Sequence, residues 1–201
     1  MKKYILELIG AFFIVLTVGL GSNPLAVGFT YISMIYIGLS ISGAHYNPVI
    51  STVMFLNKKI CFKDLSIYII FQIIGACLAA LAISLIRSNM QVQPLMADSI
   101  YTVLFMESIF TFFIVLAYLS ISDKNVKNPF YGFVVGLPLI VGVFSAAPVS
   151  GAVFNPVVSI GPSVIDIITG EGVSQYFLWY YIIGPLFGGF LAFLLKKYIL
   201  K

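Results

Sequence analysis

The chain has 201 residues, 61% of them hydrophobic and only 9% charged, with a net charge of +4 and a mean hydropathy of +1.09. A soluble domain carries about 25% charged residues, so this one could not cover its surface with polar groups and lipid must be the solvent for much of it. The lysines sit beside apolar runs, which ties the positive charge to a membrane surface and not to nucleic acid.

Six apolar runs lie near the 20 residues that a bilayer requires, at about 4–21, 25–45, 64–86, 100–121, 130–147 and 174–195. Two shorter runs, at 48–57 and 156–168, are about half a bilayer long as helices and could not cross alone. Met1-Lys2-Lys3 before an apolar run also has the form of a signal peptide. That run continues to about Leu20 without a clear cleavage site, and it carries Glu7. It therefore reads as the first span. Cys61, in a predicted loop, and Cys77, in a predicted helix, give no disulfide pattern and read as free thiols.

The segment Ser42-Gly43-Ala44-His45-Tyr46-Asn47-Pro48-Val49-Ile50-Ser51 returns as Ser150-Gly151-Ala152-Val153-Phe154-Asn155-Pro156-Val157-Val158-Ser159, 108 positions later. Glu7–Leu16 likewise matches Glu107–Leu116, at an offset of 100. The difference fits the polar link Ser122–Pro129, which is longer than the turn near Gly21–Pro24. In the third span of each half, Ile73-Ile74-Gly75 rhymes with Ile182-Ile183-Gly184. The chain thus reads as one transmembrane domain, 1–201, built from two repeats at about 1–99 and 100–201. Three spans per repeat is an odd number, so the second repeat must be inverted.

Lysine placement agrees. Lys2, Lys3, Lys58, Lys59, Lys63, Lys124, Lys127, Lys196, Lys197 and Lys201 fall on one side of this topology, and only Arg87 falls on the other. Lys and Arg concentrate in cytoplasmic loops, which puts both termini in the cytoplasm. Arg87 and Asp98 read as solvated groups of an external link, and Pro138 and Pro185 as kinks within spans.

Asparagine before proline is a helix-start signal. Asn47 and Asn155 can cap a helix, and Pro48 and Pro156 then occupy the first helical position, where no N–H is needed. Gly43 and Gly151 permit tight backbone just before. With inverted repeats the two half-helices enter from opposite faces, and their N-termini meet near mid-membrane. Each end carries roughly half a positive charge, which repels cations and spares neutral molecules. A loop at this depth is tolerated only where protein buries it or it lines a wet cavity. The duplicated motif therefore marks a pore or a binding site. Glu7 and Glu107, carboxylates inside spans, are either satisfied groups or functional ones.

These features resemble the aquaporin and glycerol-facilitator family, the major intrinsic proteins, over essentially the whole chain. The residues that carry the resemblance are Ser-Gly-Ala-His-x-Asn-Pro at 42–48, the second Asn-Pro at 155–156 and the paired Glu7 and Glu107. The resemblance implies an all-α membrane protein of six transmembrane helices and two re-entrant half-helices. It also implies a homotetramer in the cell membrane with a pore in each protomer. The pore motif would be Asn47, Pro48, Val49 and Asn155, Pro156, Val157. Glu7 and Glu107 would hold the loops, and His45 would brace the first of them.

The chain departs from the family pattern in places. Valine stands at 49 and 157 where alanine is usual, and Val158 stands where an arginine normally narrows the outer mouth. Spacing from the asparagines places the other filter positions at Val27, Val143 and Ala152, which makes the whole constriction small and apolar. Ser159 resembles the water-channel members, whereas Tyr181-Ile182 lacks the tryptophan common there.

The expected function is a passive channel for water or small uncharged solutes: glycerol, urea, ammonia, dissolved gases, hydrogen peroxide or metalloid acids. A secondary transporter shares inverted repeats and broken helices, but only the two glutamates are available for coupling. An intramembrane enzyme using Glu107 or His45 lacks a nucleophile–base pair at suggestive spacing. No cofactor or metal cluster is expected. A structural membrane protein with little transport is the remaining alternative.

Overall fold

The computed structural model describes residues 1–21, 23–87, 90–95, 99–122, 129–170 and 172–199. Eight α-helices follow in chain order: α1 (Lys2–Gly21), α2 (Pro24–Gly38), α3 (Pro48–Leu56), α4 (Phe62–Ile86), α5 (Ile100–Ser122), α6 (Tyr131–Ser150), α7 (Pro156–Thr169) and α8 (Tyr180–Tyr198). A 3-10 turn over Val173–Tyr176 precedes α8. No strand occurs among the described residues.

Four helices, α1, α4, α5 and α6, are each long and apolar enough to cross a membrane. The second span is shorter than its apolar run suggests. α2 stops at Gly38 after 15 residues, about 22 Å at the helical rise. Turn bonds to the Gly38 and Leu39 carbonyls carry the chain on to Gly43. The residues beyond Gly38 form a turn and then the loop that leads to α3, not further helix. The last span also starts later than its run, because the 3-10 turn takes its first residues. Pro138 and Pro185 lie inside α6 and α8, and Pro148 and Pro162 lie inside α6 and α7.

Three helices begin on an asparagine followed by proline. Asn23 accepts from the N–H groups of Leu25 and Ala26, Asn47 from Val49 and Asn155 from Val157. Each side chain satisfies donors that the first helical turn leaves open.

The helix ends confirm which termini are neighbours. Lys3 Nζ donates to Asp64 at 2.8 Å and the Tyr4 hydroxyl donates to its other oxygen at 2.7 Å, tying the start of α1 to the start of α4. Lys196 Nζ donates to the Leu119 carbonyl, tying the end of α8 to the end of α5. At the opposite face the exposed Arg87 donates to the Leu20 carbonyl. Lys2, Lys3, Lys58, Lys59, Lys63, Lys196 and Lys197 thus share the face opposite Arg87. Asp98, Lys124, Lys127 and Lys201 lie outside the described residues.

Close packing explains several glycines. A Cβ built on Gly75 would lie 2.2 Å from the Leu8 carbonyl oxygen, so α4 sits directly on α1. On Gly188 it would lie 2.0 Å from the Ser108 carbonyl oxygen, so α8 sits in the same way on α5. Leu8 and Ser108 are matched positions of the two repeats, and this sets the true phase of the third span. Gly75 corresponds to Gly188, not to Gly184 as the short sequence rhyme suggests. Tyr68 and Tyr181 agree, since their hydroxyls donate to the matched carbonyls of Ser42 and Ser150. The correction is four residues, about one helical turn.

α2 and α6 cross where Gly28 meets Ile140 and Gly136 meets Ile32, each pair related by the repeat. Each half-helix also packs on the third long helix of the other repeat. α3 packs through Val49 on Gly189 of α8, and α7 packs through Gly161 on Ala76 of α4.

Replacing Gly75 or Gly188 by alanine should destabilise the bundle by about 1–3 kcal/mol, the usual cost of overpacking. Gly21, where an added Cβ meets nothing within 4 Å, is the control. Thermal unfolding in detergent should show Tm falling for the first two variants and holding for Gly21→Ala.

Candidate functional site

The two loops before α3 and α7 are built alike. Gly43 and Gly151 adopt φ of +88° and +90°. Ala44 and Tyr46, with Ala152 and Phe154, adopt φ between 51° and 55°. Such left-handed conformations cost a non-glycine residue of order 1–3 kcal/mol and persist only when the surroundings over-determine them.

Here the surroundings are the glutamates. Glu7 Oε1 accepts from the Ser42 hydroxyl at 2.6 Å and from the His45 N–H at 3.0 Å. Its Oε2 accepts from the Tyr46 N–H at 2.6 Å and from Gln72 Nε2 at 2.8 Å. Glu107 Oε1 accepts from the Ser150 hydroxyl and the Val153 N–H, at 2.7 and 3.1 Å. Its Oε2 accepts from the Phe154 N–H at 2.6 Å. Both glutamates are fully buried. The difference between them is Gln72, whose counterpart in the second repeat is Pro185.

His45 is buried too. Its Nδ1 lies 3.0 Å from the Ser51 hydroxyl, and its ring sits edge-on to Tyr68 and Tyr118. At the counterpart of Ser51, the Ser159 hydroxyl is buried without a partner.

The loops meet at the two asparagines. Asn47 Nδ2 donates to the Phe154 carbonyl at 3.1 Å, and Asn155 Nδ2 donates to the Tyr46 carbonyl at 2.9 Å. Each amide therefore caps its own half-helix through Oδ1 and clasps the opposite loop through one N–H. The second N–H of each amide is left over.

Beside this clasp lies a cavity of about 590 Å³, part of it open to solvent. Asn47 and Asn155 both line it, with Val27, Val143, Ala152 and Val158. Ile14, Val18, Tyr31, Ile114, Leu139, Ala147, Gly151, Val153 and Phe154 complete the wall. The wall is mostly apolar, and Ala152 and Val158 bring no side-chain donor to it. Val49 and Val157 do not reach the cavity; nor do Pro48 and Pro156, the first residues of α3 and α7, or Glu7, Glu107 and His45.

The sequence reading missed Ser42, Ser150 and Gln72 as partners of the glutamates. The serines stand in the duplicated segment, and Gln72 is a lone amide within a span, so a signal was present for each. It also missed Ile14, Ile114 and Leu139, which nothing in an apolar run distinguishes from core.

An all-helical bundle of inverted repeats, with two half-helices meeting at a central cavity, defines a class of polytopic membrane protein. The chain belongs to the major intrinsic protein family, whose model matches residues 9–196. This is a family of passive channels for water and small solutes. The chain is 31% identical over 209 residues to a protein named glycerol uptake facilitator protein-like 6 of Lactiplantibacillus plantarum, covering 96% of this chain and 95% of that one. It is 28% identical over 206 residues to aquaporin NIP1-1 of Zea mays, covering 94% and 71%. Its fold matches the aquaglyceroporin from Plasmodium falciparum with a TM-score of 0.84 at 19% identity, covering 99% and 96%.

Glu107→Gln should lower stability by about 1–3 kcal/mol, because either orientation of the new amide turns a donor toward the Val153 or the Phe154 N–H. Glu7→Gln should do the same against His45 or Tyr46. The expected result is reduced yield and Tm for both. Unchanged Tm with loss of transport would contradict a role in holding the loops.

Proposed function

We propose that this chain is a passive channel for small uncharged solutes, working as a homotetramer in the cell membrane with both termini in the cytoplasm. The observation that carries the reading is the pair of asparagine-capped helix N-termini on one largely apolar cavity. Each helix end presents about half a positive charge, and each amide keeps one N–H for a passing oxygen. A solute that accepts hydrogen bonds is welcomed there, and a cation is repelled. A water molecule held by both amides turns its own hydrogens outward in opposite directions. That orientation interrupts the hydrogen-bonded chain along which protons would hop.

In this reading Val27, Val143, Ala152 and Val158 form the outer selectivity filter. The ring offers apolar surface and no side-chain charge. It replaces little of the hydration that water or a polyol loses on entry, and it leaves more room than a ring containing arginine. Ammonia, hydrogen peroxide, glycerol, urea and undissociated metalloid acids fit such a ring. Relatives named for glycerol uptake and for aquaporin function are in keeping with this range. The transporter reading is weaker, because both intramembrane carboxylates are engaged with the loops and neither faces the cavity. The lysine-rich face supports the assignment of the termini to the cytoplasm.

Val158→Arg adds bulk, a fixed charge and donors to the ring. It should cut glycerol and urea permeability by about tenfold or more, since each 1.36 kcal/mol of added barrier is tenfold in rate. Water flux should fall less, because the new donors partly replace its hydration. Stopped-flow measurements on proteoliposomes at matched reconstitution check this. Equal passage of the larger solutes through both proteins would remove position 158 from the filter.

A further inference from the structure

The repeat relates the two halves of the cavity region residue by residue, and the halves are lined differently. On the outer side the wall includes Val18 of α1, Leu139 of α6, and Gly151 and Val153 of the second loop. The repeat offsets, 100 for α1 and α5 and 108 for α2, α6 and the loops, give their counterparts. These are Tyr118 for Val18, Tyr31 for Leu139, Gly43 for Gly151 and His45 for Val153. Two tyrosines on the inner side thus replace two aliphatic side chains on the outer side.

Both tyrosines are buried, and both hydroxyls are committed to the first loop. Tyr31 donates to the His45 carbonyl at 2.9 Å, and Tyr118 donates to the Gly43 carbonyl at 2.5 Å. The carbonyls so engaged are the counterparts of those of Gly151 and Val153, residues that border the open cavity. The cavity ends inward at Tyr31 and Asn47, and Tyr118, Gly43 and His45 do not line it. The cavity mouth residues Val18, Ala147, Gly151 and Ala152 are half-buried, whereas Tyr31 and Asn47 at the floor are buried.

We propose that Tyr31 and Tyr118 form a second constriction, on the inner side of the paired asparagines, and that this pair sets the solute size limit of the wild-type protein. Two effects combine. The rings occupy the volume that Val18 and Leu139 leave free on the other side. The hydroxyls hold loop carbonyls that would otherwise accept hydrogen bonds from a passing solute. A solute must therefore displace a hydroxyl from its acceptor and move a ring, so glycerol or urea is held back more than water. The inference rests on the channel reading and adds to it that the outer apolar ring is the wider of two gates in series.

The test is proteoliposome flux of water, urea and glycerol for wild type, Tyr31→Leu/Tyr118→Val and Tyr31→Phe/Tyr118→Phe. The first variant installs the outer-half residues at the inner positions. It should raise glycerol flux by well over fivefold and raise the glycerol-to-water ratio. The Phe variant keeps the rings and frees the carbonyls. Loss of a buried hydrogen bond from the barrier should raise flux by about fivefold per hydroxyl. Size-exclusion profile and Tm report folding, and if the aliphatic variant fails to assemble, the nearly isosteric Phe variant decides. A conducting wild type with both variants at its flux and ratio overturns the inference and leaves the channel reading standing. No solute flux in any of the three proteins overturns both.

Discussion

Backbone that is neither helix nor sheet cannot sit at membrane depth unless protein satisfies its polar groups. The whole arrangement follows from how this chain meets that constraint. Two loops pass through the middle of the bundle, and in each a glutamate takes two consecutive N–H groups while a serine hydroxyl takes a third. Glu7 takes the N–H groups of His45 and Tyr46, and Glu107 takes those of Val153 and Phe154. The strained φ values at Ala44, Tyr46, Ala152 and Phe154 are held by those bonds. With the loops fixed, the half-helix starts are fixed, and Asn47 and Asn155 can reach across to the opposite loop.

The asparagine clasp has an energetic and a functional side. A buried amide N–H left unpaired costs about 1–3 kcal/mol. Each asparagine spends one N–H on the other repeat's carbonyl and its oxygen on its own helix. What remains is one donor per side, aimed by bonds that leave the amide little freedom to rotate. The geometry that stabilises the junction therefore also prepares a pair of donors at one place in an otherwise apolar cavity. Preorganised donors of this kind need no rearrangement when a solute arrives.

The two halves share a frame but not a lining. Gln72 reinforces Glu7, while Pro185 at the matched place offers Glu107 nothing. Tyr31 and Tyr118 stand where the other half has Leu139 and Val18. The frame is symmetric because inverted repeats impose it. The lining is free to differ, and it does so without any change of fold.

The frame was legible in the chain because long-range physics left a local trace: a duplicated decapeptide, paired glutamates and asparagine before proline. The eight helices and the residues beside the asparagines follow from these. Three features were not legible. α2 stops at Gly38, where turn bonds to the Gly38 and Leu39 carbonyls lead into the loop held by Glu7, and an apolar run does not show in sequence where helix gives way to such a turn. The phase of the third span was misread by one turn, because Gly184 and Gly188 both face α5 and a three-residue rhyme cannot choose between them. Aromatic residues of membrane spans commonly lie at the interfaces, yet Tyr31, Tyr46, Tyr68, Tyr118 and Tyr181 are buried and hydrogen-bonded to backbone carbonyls. Only the fold brings those carbonyls within reach.

The central claim is that neutral solutes pass without coupling, because no carboxylate among the described residues lines the cavity and the helix ends exclude cations. The direct measurement is initial uptake of glycerol or urea into proteoliposomes against concentration, with a pH-sensitive dye inside and an imposed proton gradient. Flux that rises linearly with concentration, ignores the gradient and leaves luminal pH unchanged is the predicted result. Saturable uptake that follows the gradient and moves protons with the solute would contradict the account.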